Sequence, residues 1–443
     1  MMALSWPLMG AAYALSFAVE TWAARRVAGG EAAAAARGGR RALRRSPRPA
    51  RAARAAEAST TDAAAAGGHA AAAALAMVGP CALVWRRGPR FASPVPGFAV
   101  VLCAIVASMK IVSYAHCNAD LRARARGARD APPRGAQADD GATSVLPSPR
   151  LAASGARARA APASRGASVA PDGAAAGAGG GAAAPPPPYP ESVSAATLAY
   201  FVAAPTLVYQ PAYPRTPRVR ARRVVWYSFK LSVAAALQAA IWAQYVTPTV
   251  KNSVRAVRAA RSAPLSLAER VLKLSLPSTY SWVVMFVTLF DCYLTLLAEL
   301  TRFADRAFFG DWWNARTVGQ YWRTWNLPVH KFLLRHVFNP LRRAGVGRNG
   351  ALALVFAVSA ALHEIAVAVP LHLFRPPWKL YAFWGVLAQV PLVLLTEPLA
   401  ATGAGNFLFW LAFCGLGQPV ALILYFCDWV SARGGGVGGG LMA

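Results

Sequence analysis

Residues 351–370 read ALALVFAVSAALHEIAVAVP, twenty positions whose only ionisable groups are His363 and Glu364. A run of this length and apolarity crosses the hydrocarbon core of a bilayer as one helix, and an ionisable pair inside such a span is costly enough to mark a functional site. Upstream lies Phe308-Phe309-Gly310-Asp311-Trp312-Trp313-Asn314, followed by Trp325-Asn326. A polar, tryptophan-rich segment beside a membrane-embedded histidine proposes a reaction centre below the bilayer surface.

Working outward, the 443 residues are 56% hydrophobic yet hold 47 Lys+Arg against 18 Asp+Glu, a net charge of +29. The two properties are segregated along the chain. Apolar runs fall at about 3–24, 69–86, 95–116, 224–246, 276–300, 350–370, 378–397 and 405–430, which predicts an all-α polytopic membrane protein with eight spans. Arginine collects between the runs, and the aromatics lie within them or at their ends. A basic surface interleaved with exposed aromatics, as nucleic-acid binding requires, is therefore not expected. The six cysteines are scattered without a CxxC, so neither a disulfide framework nor a metal site is expected.

The Arg/Ala-rich segment 25–68 and the Gly/Ala/Pro/Arg-rich segment 117–190 lack the apolar content to pack, and both read as disordered linkers. Residues 195–213 are aromatic but broken by Pro205 and Pro211, which suits an interfacial or re-entrant piece. If every span crosses once, the loops 25–68, 117–223 and 301–349 share one side. They hold most of the arginines, so that side is assigned to the cytoplasm and both termini to the opposite face. Segment 301–349 is then a cytoplasmic amphipathic stretch within a single membrane domain of residues 1–443.

Each polar feature has a structural reading beside the functional one. His363 is either an interhelical hydrogen-bonding group or a general base kept neutral by burial, while Glu364, about 100° away on the helix, is free to hold a neighbouring helix. Asn326 either caps the helix that Pro328 opens or stands with His330 as a polar wall facing His363. The aromatic and basic residues of 308–338 read first as a membrane-interface anchor, although a basic aromatic surface also suits a polyphosphorylated donor such as coenzyme A. Gln389 and Gln418 read as interhelical amides, Asp291 as a lone intramembrane acid, and Glu299 with Arg302, Asp305 and Arg306 as a solvated or mutually paired cluster. No GxSxG, HExxH or paired metal-ligand spacing occurs, so direct transfer assisted by one histidine is favoured over a covalent acyl-enzyme or a metal hydrolase.

FFGDWWN at 308–314 resembles the FYxDWWN motif of membrane-bound O-acyltransferases, in the branch of diacylglycerol and sterol acyltransferases, and SAALHE around His363 resembles that family's catalytic segment. SYAHCNADLR (113–122), APTLVYQPAYPRTPRVR (204–220), ERVLKLSLPSTY (269–280) and GQPVALILYFCD (417–428) are similar to the plant and algal type 1 diacylglycerol acyltransferases. The resemblance implies a helical fold enclosing an intramembrane reaction chamber, with His363 as catalytic base and Asn326 beside it. It further implies that His330, Glu364, Gln389 and Gln418 line the chamber. Phe308, Phe309, Asp311, Trp312, Trp313 and Asn314 then engage acyl-CoA on the cytoplasmic side.

Fatty acyl-CoA as co-substrate, diacylglycerol as acceptor, no further cofactor, a homodimer or homotetramer, and an endoplasmic reticulum membrane with a lumenal C-terminus follow by the same resemblance. Ser5-Trp6-Pro7-Leu8 aligns best with the start of the family's second span, so its first span is expected to be missing here. A sterol or fatty-alcohol acceptor would use the same motifs. A proton-relaying transporter would bury His363 and Glu364 too, but no repeated halves with matched broken helices are seen.

Overall fold

The computed structural model describes residues 2–36, 48–88, 94–130, 187–259, 263–373 and 376–434. The described residues form helices and connecting chain, with a single isolated antiparallel bridge between Arg215 and Phe303. Helices α1 (Met2–Ala36), α2 (Arg48–Arg86) and α3 (Val95–Asp130) pack together. Their seam is built from Met9, Ala12, Ala72, Ala76, Ala107 and Ile111, where small side chains let the backbones approach.

These helices correct two expectations. Residues 25–36 and 48–68, expected to be disordered, continue α1 and α2, and residues 117–130 extend α3. Alanine is the strongest helix former, and prolonging an existing helix avoids the cost of nucleation, so low apolar content does not prevent helix here. Residues 131–186 of the second expected linker lie outside the described residues.

Segment 195–213 is a short helix followed by buried irregular chain, not a continuous crossing. Helix α4 (Ala195–Ala203) is opened by a Ser194–Thr197 capping box, and the chain then runs through buried Ala204, Leu207, Val208, Tyr209 and Tyr213. Lys110 of α3 donates from Nζ to the carbonyls of Phe201, Val202 and Ala204, each at 2.8 Å, which satisfies the end of α4 inside the bundle.

The remainder comprises α5 (Ala221–Ile241), α6 (Thr247–Ala259), α7 (Ala263–Phe286), α8 (Leu294–Leu300), α9 (Val318–Thr324), α10 (Leu327–Leu333), α11 (Asn339–Arg343), α12 (Arg348–Leu371), α13 (Tyr381–Leu387), α14 (Gln389–Thr396), α15 (Ala404–Phe409) and α16 (Gln418–Gly434). Wider π turns at Trp242–Val246, Val287–Tyr293, Leu334–Phe338 and Trp410–Gly417 interrupt them, a feature that often accompanies functional sites.

Seven of the described helices are long and apolar enough to cross a membrane, and they cover every expected span except 3–24. That window forms most of α1, but Trp6, Pro7, Tyr13, Ser16 and Glu20 dilute its apolarity. The chain is an all-α polytopic membrane protein.

Candidate active site

His363 sits in α12, one turn after Ser359. Its Nδ1 lies 2.7 Å from the Ser359 carbonyl oxygen, which can only accept, so Nδ1 bears the proton and Nε2 bears the lone pair. The imidazole is exposed on the helix, contrary to the expected burial, and is therefore open to a reactant. Phe356, seven residues earlier and thus on nearly the same helical face, meets Trp322 of α9 edge-on at 5.5 Å. The His363 face of α12 accordingly looks toward the segment that begins with the tryptophan-rich motif.

Glu364 points elsewhere, as its 100° offset requires. It is buried, and its Oε2 accepts from the Tyr425 hydroxyl at 2.6 Å and from the Phe383 backbone N–H at 3.1 Å. The carboxylate ties α12 to α13 and α16 and so fixes the rotation of the helix that presents His363.

The motif FFGDWWN divides into an inner and an outer half. Phe308 and Trp312 are buried, and the Trp312 ring packs against Phe286 at 4.9 Å, Trp410 at 5.7 Å and Tyr321 at 6.0 Å. Phe309 is half-buried and meets Phe286 at 5.0 Å. Asp311, Trp313 and Asn314 are exposed. The backbone between the halves is gripped from α15, where Asn406 Nδ2 donates to the carbonyls of Trp313 and Ala315, both at 2.9 Å. Gly405 permits the approach, because a Cβ there would stand 2.0 Å from the Arg316 carbonyl oxygen.

Asn326 caps α10, with Oδ1 accepting from the Val329 N–H at 3.1 Å. The capping reading therefore holds, and it leaves the Nδ2 donor for another partner. Helices α10 and α12 contribute to one apolar cluster, Val329, Phe332 and Leu333 from the first and Leu362, Ile365 and Val369 from the second. Asn326 and His363 are thus carried by helices that share one apolar cluster. His330 is half-buried in α10, where burial and nearby Arg323 hold its imidazole below the usual histidine range. Gln389 is buried at the start of α14, and half-buried Gln418 opens α16 directly after a π turn.

The partners of three polar groups escape a reading of the sequence. His336 is buried and sits 2.8 Å from Ser113 Oγ, which itself accepts from the Tyr209 N–H at 2.8 Å. Ser113 thus links His336 Nε2 to the Tyr209 backbone, and His336 Nδ1 lies 3.2 Å from His116 Nδ1. Burial, with His116 and Arg335 adjacent, pushes His336 down to about 3. Asp291, without a partner in sequence, pairs with Lys230 of α5. Glu299 is not solvated: it is fully buried and held by Arg220 at 2.7 Å and Arg306 at 2.6 Å. The contacts of His336, Lys230 and Arg220 join residues far apart in the chain, so no local pattern announces them, whereas the Glu299–Arg306 pair is the mutual pairing expected within the cluster.

These features define a polytopic helical membrane protein that presents an accessible histidine on one of its spans. Residues 188–427 match the membrane-bound O-acyltransferase (MBOAT) family, and the chain belongs to it. Among curated proteins it is 40% identical over 342 residues to diacylglycerol O-acyltransferase 1 of Corylus americana, covering 76% of this chain and 53% of that one. It is 45% identical over 250 residues to diacylglycerol O-acyltransferase 1C of Glycine max (56% and 47%) and 44% identical over 245 residues to diacylglycerol O-acyltransferase 1 of Arabidopsis thaliana (55% and 46%). The chain spans about half the length of these curated relatives.

Proposed function

We propose that the protein is an acyl-CoA:diacylglycerol O-acyltransferase that makes triacylglycerol. The observation behind this reading is His363, exposed on a membrane-spanning helix with Nδ1 donated to the Ser359 carbonyl and Nε2 free to accept a proton. The free hydroxyl of diacylglycerol attacks the thioester carbonyl of fatty acyl-CoA while Nε2 takes the hydroxyl proton. The tetrahedral intermediate then collapses to the new ester, and the departing coenzyme A thiolate recovers that proton from the imidazolium. No acyl-enzyme and no cofactor beyond the co-substrate is needed.

Asn326 suits the developing oxyanion, since its Oδ1 is occupied by the cap and its Nδ2 is available to donate. One such donor is worth about 3 to 4 kcal/mol in other acyl transfers. In this reading the exposed half of FFGDWWN, with Asp311, Trp313 and Asn314, meets acyl-CoA from the cytoplasm. His330, Glu364, Gln389 and Gln418 shape the chamber, and the protein works as a homo-oligomer in the endoplasmic reticulum membrane with its C-terminus in the lumen.

The test is lipid analysis of yeast that lacks its own neutral-lipid acyltransferases and expresses this chain. Triacylglycerol should appear, and His363→Ala should lower it by roughly 10²-fold or more at equal protein level. Steryl or wax ester without triacylglycerol would overturn the choice of acceptor.

A further inference from the structure

Two of the spans end at the same place. The span Ala221–Ser253 starts with the first residue of α5, and the span Leu265–Leu300 finishes with the last residue of α8. The chain before the one and the chain after the other run side by side. The Thr216 N–H donates to the Arg302 carbonyl at 2.8 Å, the Ala304 N–H donates to the Pro214 carbonyl at 3.0 Å, and Arg215 bridges to Phe303. This pairing gathers Arg215, Arg218, Arg222, Arg223 and Arg302 at the common end of both spans, and all but half-buried Arg223 are exposed.

The acids nearby are already taken. Glu299 is buried between Arg220 and Arg306, and Asp305 pairs with Lys331 at 3.1 Å. Among the described residues none of the five gathered arginines meets a carboxylate: Arg215 lies over the Tyr200 ring at 3.8 Å, and Arg302 Nε donates to the Thr216 carbonyl at 2.8 Å. Arg302 also has a φ of 59°, in the left-handed region where glycine is the low-cost residue. A long cationic side chain held at such a position points to a use for that side chain.

The partner's chemistry follows from where the patch lies. One turn beyond Arg222, exposed Trp226 stacks on exposed Phe229 at 6.0 Å, and no residue of α5 is buried in the bundle, so this helix faces lipid. Tryptophan at the end of a span marks the headgroup level. The arginines just before it therefore stand among headgroups, where a guanidinium binds phosphate oxygens in pairs.

We infer that this patch binds anionic phospholipid of the bilayer, with the headgroup phosphate held by Arg218, Arg222 and Arg302. Phe308 follows Arg302 by six residues, so a bound headgroup fastens the chain that leads into FFGDWWN. None of the five arginines is assigned to the transfer and binding is read without turnover, so the patch and the proposed activity stand or fall separately.

Purified full chain in detergent is titrated with phosphatidylserine or phosphatidylcholine, and native mass spectrometry reads the lipid it retains. Phosphatidylserine should be retained in preference. Arg218→Gln combined with Arg222→Gln should raise its half-saturating concentration roughly tenfold or more, since each arginine beside an anionic surface is worth about fivefold. Arg302→Gly suits the left-handed backbone, so it should hold the parent's unfolding midpoint while weakening retention roughly two- to fivefold, which separates binding from folding. Arg343→Gln combined with Arg348→Gln removes the same charge from exposed positions elsewhere and should leave retention unchanged.

Equal retention of the two lipids, undiminished retention in the Arg218/Arg222 variant, or an equal loss in the Arg343/Arg348 variant would overturn the patch. Displacement of phosphatidylserine by coenzyme A would assign the arginines to a soluble phosphate and overturn the lipid.

Discussion

Replacing Trp312 and Trp313 by alanine, one at a time, should separate folding from binding within two adjacent residues. Trp312 is 3% exposed and touches the rings of Phe286, Tyr321, Phe409 and Trp410. Deleting a buried indole typically costs about 3 to 5 kcal/mol, and the lost aromatic pairs put Trp312 toward the upper end of that range. Trp313 is 40% exposed; its carbonyl bond to Asn406 Nδ2 is made by the backbone and survives the substitution, and its ring gives up only the contacts with Trp312 at 5.9 Å and Phe309 at 6.4 Å. Its removal should cost within about 0.5 kcal/mol, the usual range for surface positions.

The assay is thermal unfolding of the detergent-purified variants followed by size-exclusion, paired with acyl-CoA saturation curves. Trp312→Ala should unfold far below the parent, whereas Trp313→Ala should keep the parent's midpoint and show a raised KM for acyl-CoA. A Trp312→Ala protein with an unchanged midpoint, or a Trp313→Ala protein as unstable as Trp312→Ala, would refute the division of the motif.

Gly405→Ala should destabilise by about 1 to 3 kcal/mol or more, because the backbone at Arg316 must move to admit the methyl group; an unchanged midpoint would show that the α15 contact is looser than described. Lys230→Met should strand Asp291 inside a span at a cost of about 3 to 5 kcal/mol, and adding Asp291→Leu should recover most of it, as a double-mutant cycle would measure. His336 is held neutral when folded, while in the unfolded chain it titrates near ~6.5. Between that value and about 3 the unfolded chain binds the additional proton, so this contribution to stability is complete above the upper value and declines as pH falls. Unfolding midpoints from pH 7 to 5 should therefore drop less in His336→Asn than in the parent.

Much of the architecture is legible because hydropathy is a local sum. The twenty residues around His363 announce a span regardless of what packs beside them, and the same holds for the other long apolar runs. The segments 25–36 and 48–68 are helical for a complementary reason. Absence of apolar residues removes a reason to pack, but alanine supplies a reason to be helical. At the site, the position of His363 and the capping role of Asn326 could be read from neighbours one turn away. The burial of Trp312 beside exposed Trp313 could not, since the two have the same composition and nearly the same surroundings in sequence.

Apolar run lengths, helix caps and the motif around His363 thus needed no more than neighbouring residues, because each depends on interactions within one or two helical turns. Packing alone settled that Glu364 binds Tyr425, that Asp291 meets Lys230, that Glu20 is held by His69 and Arg122, and that His363 stays open while its neighbour is buried. A charge or amide inside a membrane must find a partner, but its identity depends on which helices are brought side by side, and that is a property of the assembled bundle.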